Sequence, residues 1–338
     1  MNSTNSSNSD SGLNSPEFKF FITFAYILIF ATSTFGNGFV CFVLLYRQKL
    51  HKVMSYFQLN LALADSTLTV ICIPFDLYVE KKSGKWPYSP GFCKLLYPLQ
   101  TMTLYASVFT LCAISLSRYR AVVFPMRKQL TLFTTKRLLI LIWAASLILV
   151  VPYMAVLKVD KEQQCVENWS VSSHRQFYTL FIGITMYFAP LSVITWAYYQ
   201  IWAVLRTKNN AEQGQPDHAK ENAKIIKMTV CISATFAVCM LPNQVIYILL
   251  DFSYDGQHII HNEWISIGNM HVFLHCALDP VFYMIFNNKY RRVFRSILER
   301  RSTMRKIDSE YYKTMLEHRY TKIMQGLPAI KYYYRYLN

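Results

Sequence analysis

The stretch that decides the fold is residues 93–125, CKLLYPLQTMTLYASVFTLCAISLSRYRAVVFP. It starts at a cysteine in a short polar loop, carries no charge from Leu95 to Ser117, and ends on Ser117-Arg118-Tyr119. At about 1.5 Å per helical residue, the steps from Cys93 to Arg118 cover roughly 37 Å. A hydrocarbon core is about 30 Å thick, so the cysteine belongs at one membrane face and the arginine at the other. A chain built around such a segment couples the two sides of a bilayer.

Working outward, apolar runs at 20–46, 56–79, 138–157, 177–205, 228–250 and 264–286 also approach or exceed the length of about 20 residues that a spanning helix needs. The chain has 338 residues, 53% of them hydrophobic and 16% charged, with a formal net charge of +16. The basic residues do not line one stripe of a soluble domain, as nucleic-acid binding would require. They cluster at the ends of apolar runs, which reads as membrane orientation. Arg47, Lys49 and Lys52 follow the first run, and Arg118, Arg120, Arg127, Lys128, Lys136 and Arg137 follow the third. Those ends are expected to be cytoplasmic, with the N-terminus outside and the C-terminus inside.

The expected fold class is therefore an all-α membrane protein, a seven-transmembrane helix bundle over 20–286. Residues 1–19 read as an extracellular segment and 301–338 as a cytoplasmic tail. Over 287–300, Tyr290, Val293, Phe294, Ile297 and Leu298 share a helical face, with Lys289, Arg291, Arg292 and Arg295 around it. That pattern predicts an amphipathic helix lying on membrane lipids. The polar N-terminal segment lacks the basic start and apolar core of a cleaved signal peptide, so the first run is expected to direct insertion. Asn2, Asn5 and Asn168 each open a glycosylation acceptor pattern.

Several residues stand out against the apolar background. Asp65 sits mid-run, where a carboxylate costs about 2.5–3.5 kcal/mol and needs a partner, an ion or a proton. Asn37 can bridge two helices. Of eight cysteines, only Cys93 and Cys165 fall in outward-facing polar positions, where they can pair in an oxidising compartment. No metal-binding cysteine or histidine spacing, phosphate-cradling glycine loop or catalytic triad argues for an enzyme. A seven-span transporter or channel would want an ion-lined path or an inverted repeat, and neither is visible.

Asn37, the LALAD run ending at Asp65, Cys93, Ser117-Arg118-Tyr119, Trp143, Pro190, Tyr198, the turn 239–242 and the run 279–283 lie in a familiar order on these spans. Over roughly 20–298 the chain resembles the rhodopsin-like (class A) G-protein-coupled receptors. The resemblance implies that an outer-face ligand favours a state in which the foot of the sixth helix swings out and a heterotrimeric G protein enters. It assigns activation and coupling to Arg118, Tyr119, Met126, Tyr198, Phe236, Pro242, Pro280 and Tyr283. Met126 would be an apolar contact for the G protein.

The departures from the family pattern carry information. Ser117 stands where an acid is usual, so Arg118 loses its neighbouring carboxylate, and Glu221 lies one position off the usual second acid. A weakened inactive-state lock is expected, with raised basal activity. Met240 replaces the usual tryptophan, which shifts that role toward Phe236. Asp65, Ser107 and Asp279 resemble the family's sodium pocket, with His275 in place of its asparagine. Either an allosteric sodium ion or a purely hydrogen-bonded polar core fits two carboxylates sharing one site.

Gln100 lies two turns below Cys93, where amine receptors of the family carry an aspartate, and 264–286 holds no lysine for a retinal Schiff base. Gln100, Pro74 and the layout resemble the peptide-receptor branch, particularly neuropeptide Y, tachykinin and RFamide receptors. The implied ligand is a short, basic, amidated extracellular peptide. The residues implied to receive it are Gln100, Thr103, Asp76, Glu80, Glu167, Asn243, Gln244, Tyr247, Asp251, Asn269 and Phe273. A lipid or other small ligand is the alternative. Ser302, Thr303, Ser309 and Thr314 are candidate phosphorylation sites for arrestin, and the expected location is the plasma membrane.

Overall fold

The computed structural model describes residues 16–47, 50, 52–82, 84–209, 216–252 and 262–299, with side chains except at 208–209, 216–222 and 262–263. Asn2, Asn5, Asp255, the side chains of Glu221 and Glu263, and the tail beyond 299 lie outside the described residues. Among the described residues, long helices are α1 (Pro16–Arg47), α2 (Val53–Lys81), α3 (Pro90–Val123), α4 (Leu132–Val156) and α5 (Ser172–Thr207). They are followed by α6 (Pro216–Phe252) and α7 (Asn262–Phe286). The helices contain the corresponding apolar runs, except that the fourth run passes its last residue, Leu157, to the following strand, and most extend past the run's ends because backbone hydrogen bonding continues where side-chain hydropathy stops.

Among the described residues, six helical segments are long and apolar enough to cross a membrane. The seventh, α7, is more polar because Asn269, His271, His275 and Asp279 interrupt it. Helix α7 packs on α1 and α6, α1 on α2, and α2 on α3 and α4. Helix α3 also packs on α4, α5 and α6, and α5 on α6. The order closes into a bundle with α3 innermost.

The bundle reverses the polarity of a soluble protein. Large apolar side chains face outward, among them Phe35, Ile140, Leu141 and Ile148. Asn37, Asn60, Asp65, Ser107, Thr110, Ser115, His275 and Asp279 are buried. Hydrocarbon solvates the first set, while the second must find partners within the protein. Asn37 Nδ2 donates to the Cys276 carbonyl at 2.9 Å and to Ser33 Oγ at 3.0 Å, so it does bridge α1 and α7. Asn60 Nδ2 donates to Thr110 Oγ1, and Trp143 Nε1 donates to Asn60 Oδ1, each at 2.8 Å. That pair ties α2, α3 and α4.

Two wide, π-helical turns lie just before prolines. Leu68–Cys72 precedes Pro74, and Gly183–Phe188 precedes Pro190. Proline has no amide hydrogen and crowds the carbonyl four residues back, and a wide turn absorbs both defects without breaking the helix.

Cys93 lies within the first turns of α3, fully buried, and not in a loop. Pro90 starts that helix early, since a proline at the first helical position gives up an amide that has no partner there anyway. Cys93 is disulfide-bonded to Cys165 on β2 (Cys165–Glu167), which pairs antiparallel with β1 (Leu157–Val159). The bridge fastens this hairpin to the end of α3. Residues 288–299 form a further helix in a second unit that starts at Asn288. Phe294, Ile297 and Leu298 are exposed there.

Candidate functional site

At the Cys93 end, α3, α5, α6, α7 and the hairpin enclose a cavity of about 440 Å³. Helix α3 contributes Tyr97, Gln100, Thr101 and Leu104. Their spacing of i, i+3, i+4 and i+7 is one helical face. Helix α6 contributes Met240, Asn243, Gln244 and Tyr247 with the same spacing. Asn269 faces them from α7 and receives the Asn243 amide on its Oδ1 at 3.2 Å.

Charge is concentrated at the rim. Glu167, on β2, accepts the Trp169 indole hydrogen at 2.6 Å and lies 4.0 Å from Arg175 Nε. Arg175 Nε is also 2.8 Å from Asp251 Oδ1. Burial pushes the Glu167 carboxyl above the usual range, opposed by the Trp169 hydrogen bond and by Arg175. Asp251 lies in the last turn of α6, not in the following loop, and also accepts from Thr179 Oγ1.

Six of the residues expected to receive a ligand line this cavity: Gln100, Glu167, Asn243, Gln244, Tyr247 and Asn269. Five do not. Thr103 is buried and donates to the Gln100 carbonyl, and Phe273 packs against Tyr26 with ring centroids 5.7 Å apart. Each lies beside the lining stripe of its own helix, Thr103 bonded back to that helix and Phe273 turned toward α1. Asp76 accepts from Gln100 Nε2 at 2.7 Å, and Glu80 accepts from Ser266 Oγ at 2.7 Å. Asp251 is held by Arg175. The lining residues that sequence reasoning missed include Tyr97, Thr101 and Arg175. Extending the helical face from Gln100 would have found the first two, whereas Arg175 needed the hairpin's position.

Below the cavity, Asp65, Ser107 and Asp279 do come together. His275 Nε2 lies 3.8 Å from Asp65 Oδ1, and Cys276 Sγ lies 3.4 Å from His275 Nε2. The oxygens suit a hard monovalent cation, but a nitrogen and a sulfur stand among them. Phe236 meets His275 edge-on, with centroids 5.5 Å apart.

At the other end, no carboxylate among the described residues pairs with Arg118, and its Nε lacks a hydrogen-bond partner. Tyr198 lies close to the guanidinium. Tyr119 packs on Trp196 at 4.9 Å, away from that centre. Tyr283 is buried, as is Phe236, while Met126 is 97% exposed, placing an apolar side chain fully in solvent. Pro242 and Pro280 sit inside α6 and α7.

A membrane bundle of seven helices, with a polar cavity at one end and at the other an arginine that no described carboxylate pairs with, has the layout of a transmembrane receptor. The sequence profile of the family described as 7 transmembrane receptor (rhodopsin family) matches residues 36–283. Neuropeptide FF receptor 1 of Homo sapiens is 30% identical over 310 residues, covering 85% of this chain and 72% of that protein. Neuropeptide FF receptor 2 of Mus musculus is 28% identical over 311 residues, covering 85% and 74%. The RYamide receptor of Drosophila melanogaster is 25% identical over 309 residues, covering 87% and 66%. The chain belongs to the rhodopsin family of seven-transmembrane, G-protein-coupled receptors. It is a receptor of the plasma membrane and not an enzyme.

Proposed function

We propose that this receptor binds a short, basic, amidated peptide at the Cys93 end and activates a heterotrimeric G protein at the Arg118 end. The observation that carries the reading is the cavity itself, with the Glu167 carboxylate at its rim and the amides of Gln100, Asn243 and Asn269 within. A peptide arginine would pair with Glu167, and the amides would exchange hydrogen bonds with an amidated terminus. The names of the relatives, two of them receptors for neuropeptide FF and one for RYamide, support the same ligand class.

In this reading the N-terminus and the Cys93 end face outward. Exposed Asn168 beside β2 would then carry a glycan, as would Asn2 and Asn5. Arg118, Tyr198 and Tyr283 regroup when the foot of α6 moves out around Pro242, and Met126 contacts the G protein. The helix at 288–299 lies on lipid through Phe294, Ile297 and Leu298, and arrestin binds the phosphorylated tail.

The test is G-protein activation in cells expressing the full chain, challenged with a panel of amidated neuropeptides. The expected result is a response to an arginine-containing amidated peptide. Its potency should fall about tenfold or more in Glu167→Gln and in Gln100→Ala, the loss of a charge-assisted or buried hydrogen bond. Silence to every peptide, with basal signalling that Arg118→Ala abolishes, would move the ligand to a lipid or another small molecule. Removal of glycans by amidase should increase the gel mobility of the wild type more than that of Asn168→Gln. Equal shifts would contradict a glycan at Asn168 and remove that support for the orientation.

A further inference from the structure

We propose that the centre of the bundle holds a borderline divalent cation, typified by Zn²⁺, between Asp65 on α2 and His275 and Cys276 on α7. This inference is independent of which ligand occupies the cavity above. Ligating atoms of the three residues lie within 4.8 Å of one another, and all three side chains are buried.

The tautomer of His275 is the first argument. Its Nδ1 is hydrogen-bonded to the carbonyl of Val272. A carbonyl only accepts, so Nδ1 carries the hydrogen and Nε2 of the neutral ring presents a lone pair. That lone pair lies 3.4 Å from Cys276 Sγ, whose hydrogen it can accept only while the thiol is protonated, and 3.8 Å from Asp65 Oδ1, too far for a hydrogen bond. Neither Asp65 oxygen receives a hydrogen bond in good geometry, although Ser107, Cys276 and Asp279 lie against the carboxyl group. A cation placed between two facing acceptors turns repulsion into coordination. Metal-binding histidines characteristically give their other ring hydrogen to a carbonyl or carboxylate, which is the arrangement His275 has.

Spacing is the second argument. With zinc bonds of about 2.0–2.2 Å to nitrogen and oxygen and about 2.3 Å to sulfur, tetrahedral ligand atoms stand roughly 3.3–3.6 Å apart. The His275–Cys276 separation is 3.4 Å and the His275–Asp65 separation 3.8 Å, close to those values, while the third edge, Asp65 to Cys276, lies within 4.8 Å and closes by rotation of the two side chains toward the ion.

Donor type and charge are the third. Imidazole and thiolate favour zinc over sodium, calcium or magnesium, which prefer oxygen alone. Binding releases the Cys276 proton to solvent, as coordination by thiols does. The Asp65 carboxylate and the Cys276 thiolate then balance the two charges of the metal. A monovalent ion would be balanced by Asp65 alone and would leave Cys276 a neutral thiol, so use of the thiolate is what calls for a divalent ion. The ion would clamp α2 to α7, and through Phe236, edge-on to His275, it would brace α6 as well.

The full-length receptor, purified in detergent and dialysed into a choline-based, metal-free buffer, provides the test. The thermal midpoint is read with ZnCl₂, with NaCl or with no addition, and bound zinc is counted by elemental analysis. The expected result is close to one zinc per receptor and a rise in midpoint at micromolar zinc that chelator reverses. His275→Asn and Cys276→Ser should each lose that rise. If either variant fails to fold, Co²⁺ added to the wild type reads the same site, with tetrahedral bands and a thiolate charge-transfer band expected. The proposal is overturned if zinc does not raise the midpoint, or if sodium raises it and zinc does not. It is also overturned if the zinc response survives in both variants, or if cobalt gives no thiolate band.

Discussion

At the scale of single residues, what matters most is which charges stand without partners. Arg118 follows a serine, and no described carboxylate reaches it. An aspartate at 117 would give it a partly exposed partner worth about 0.5–1 kcal/mol, enough to shift a two-state equilibrium roughly two- to fivefold. Ser117→Asp is therefore expected to lower ligand-free G-protein activation by that factor. An unchanged basal level would show that the inactive state is held elsewhere. Glu167 offers a second test. Because burial raises its carboxyl affinity for protons, it loses its charge at a higher pH than an exposed glutamate. Its protonated form is the one favoured by folding, so Glu167 itself favours the fold at low pH and loses that contribution as pH rises through the raised value. Binding of a cationic ligand has the opposite sign: affinity is highest above that value and falls as pH drops through it. Affinity measured from acid to neutral pH should show this fall in the wild type and a flatter profile in Glu167→Gln. Gln100 was legible through the family resemblance, since it stands two turns below Cys93 at the position where amine receptors carry an aspartate. Thr103 and Phe273 fall outside the lining because nearness in sequence to a lining residue does not fix the direction of a side chain.

At the scale of elements, the spans were legible because hydrocarbon imposes one requirement, length without charge, that composition reports directly. Contacts between spans were not legible, because the decisive ones use small or polar groups that hydropathy ignores. Gly36 shows this best. A Cβ there would lie 2.7 Å and 2.8 Å from Cβ and Cγ of Pro280, whereas one at Gly38 would meet nothing within 4 Å. The close approach of α1 to α7 lets Asn37 reach the Cys276 carbonyl. Gly36→Ala must widen that contact, at a cost of about 1–3 kcal/mol, the usual range for overpacking. The thermal midpoint of the purified receptor should fall in Gly36→Ala and stay unchanged in Gly38→Ala. Equal behaviour of the two would mean that Pro280 yields freely. Trp143→Phe should likewise destabilise by about 1–3 kcal/mol, since it strips the donor from the buried Asn60 oxygen while keeping an aromatic ring. The early start of α3 at Pro90 escaped sequence reading for a related reason. Polar residues around Cys93 suggested a loop, but backbone geometry, and not hydropathy, sets a helix start.

At the scale of the whole molecule, the cavity and the Arg118 end are joined along the inner face of α6. Met240 lines the cavity, Phe236 lies one turn nearer Arg118, and both are about 1% exposed. Phe236 in turn packs on His275, next to Asp65. Close-packed side chains such as these do not deform continuously, so a movement of Met240 must be taken up by Phe236 or by a shift of α6 as a unit. Binding at one end then biases the state of the other, and the coupling must be reciprocal. Agonist affinity in membranes should therefore be higher with G protein bound than after its release by a non-hydrolysable GTP analogue. The ratio is expected within the usual coupling range, about 5- to 150-fold. Phe236→Ala removes the side chain that links Met240 to the polar centre, so it should bring the ratio toward one while changing the uncoupled affinity far less, because Phe236 does not line the cavity. A coupling ratio untouched by Phe236→Ala would mean that the two ends communicate through the α3 side of the bundle instead.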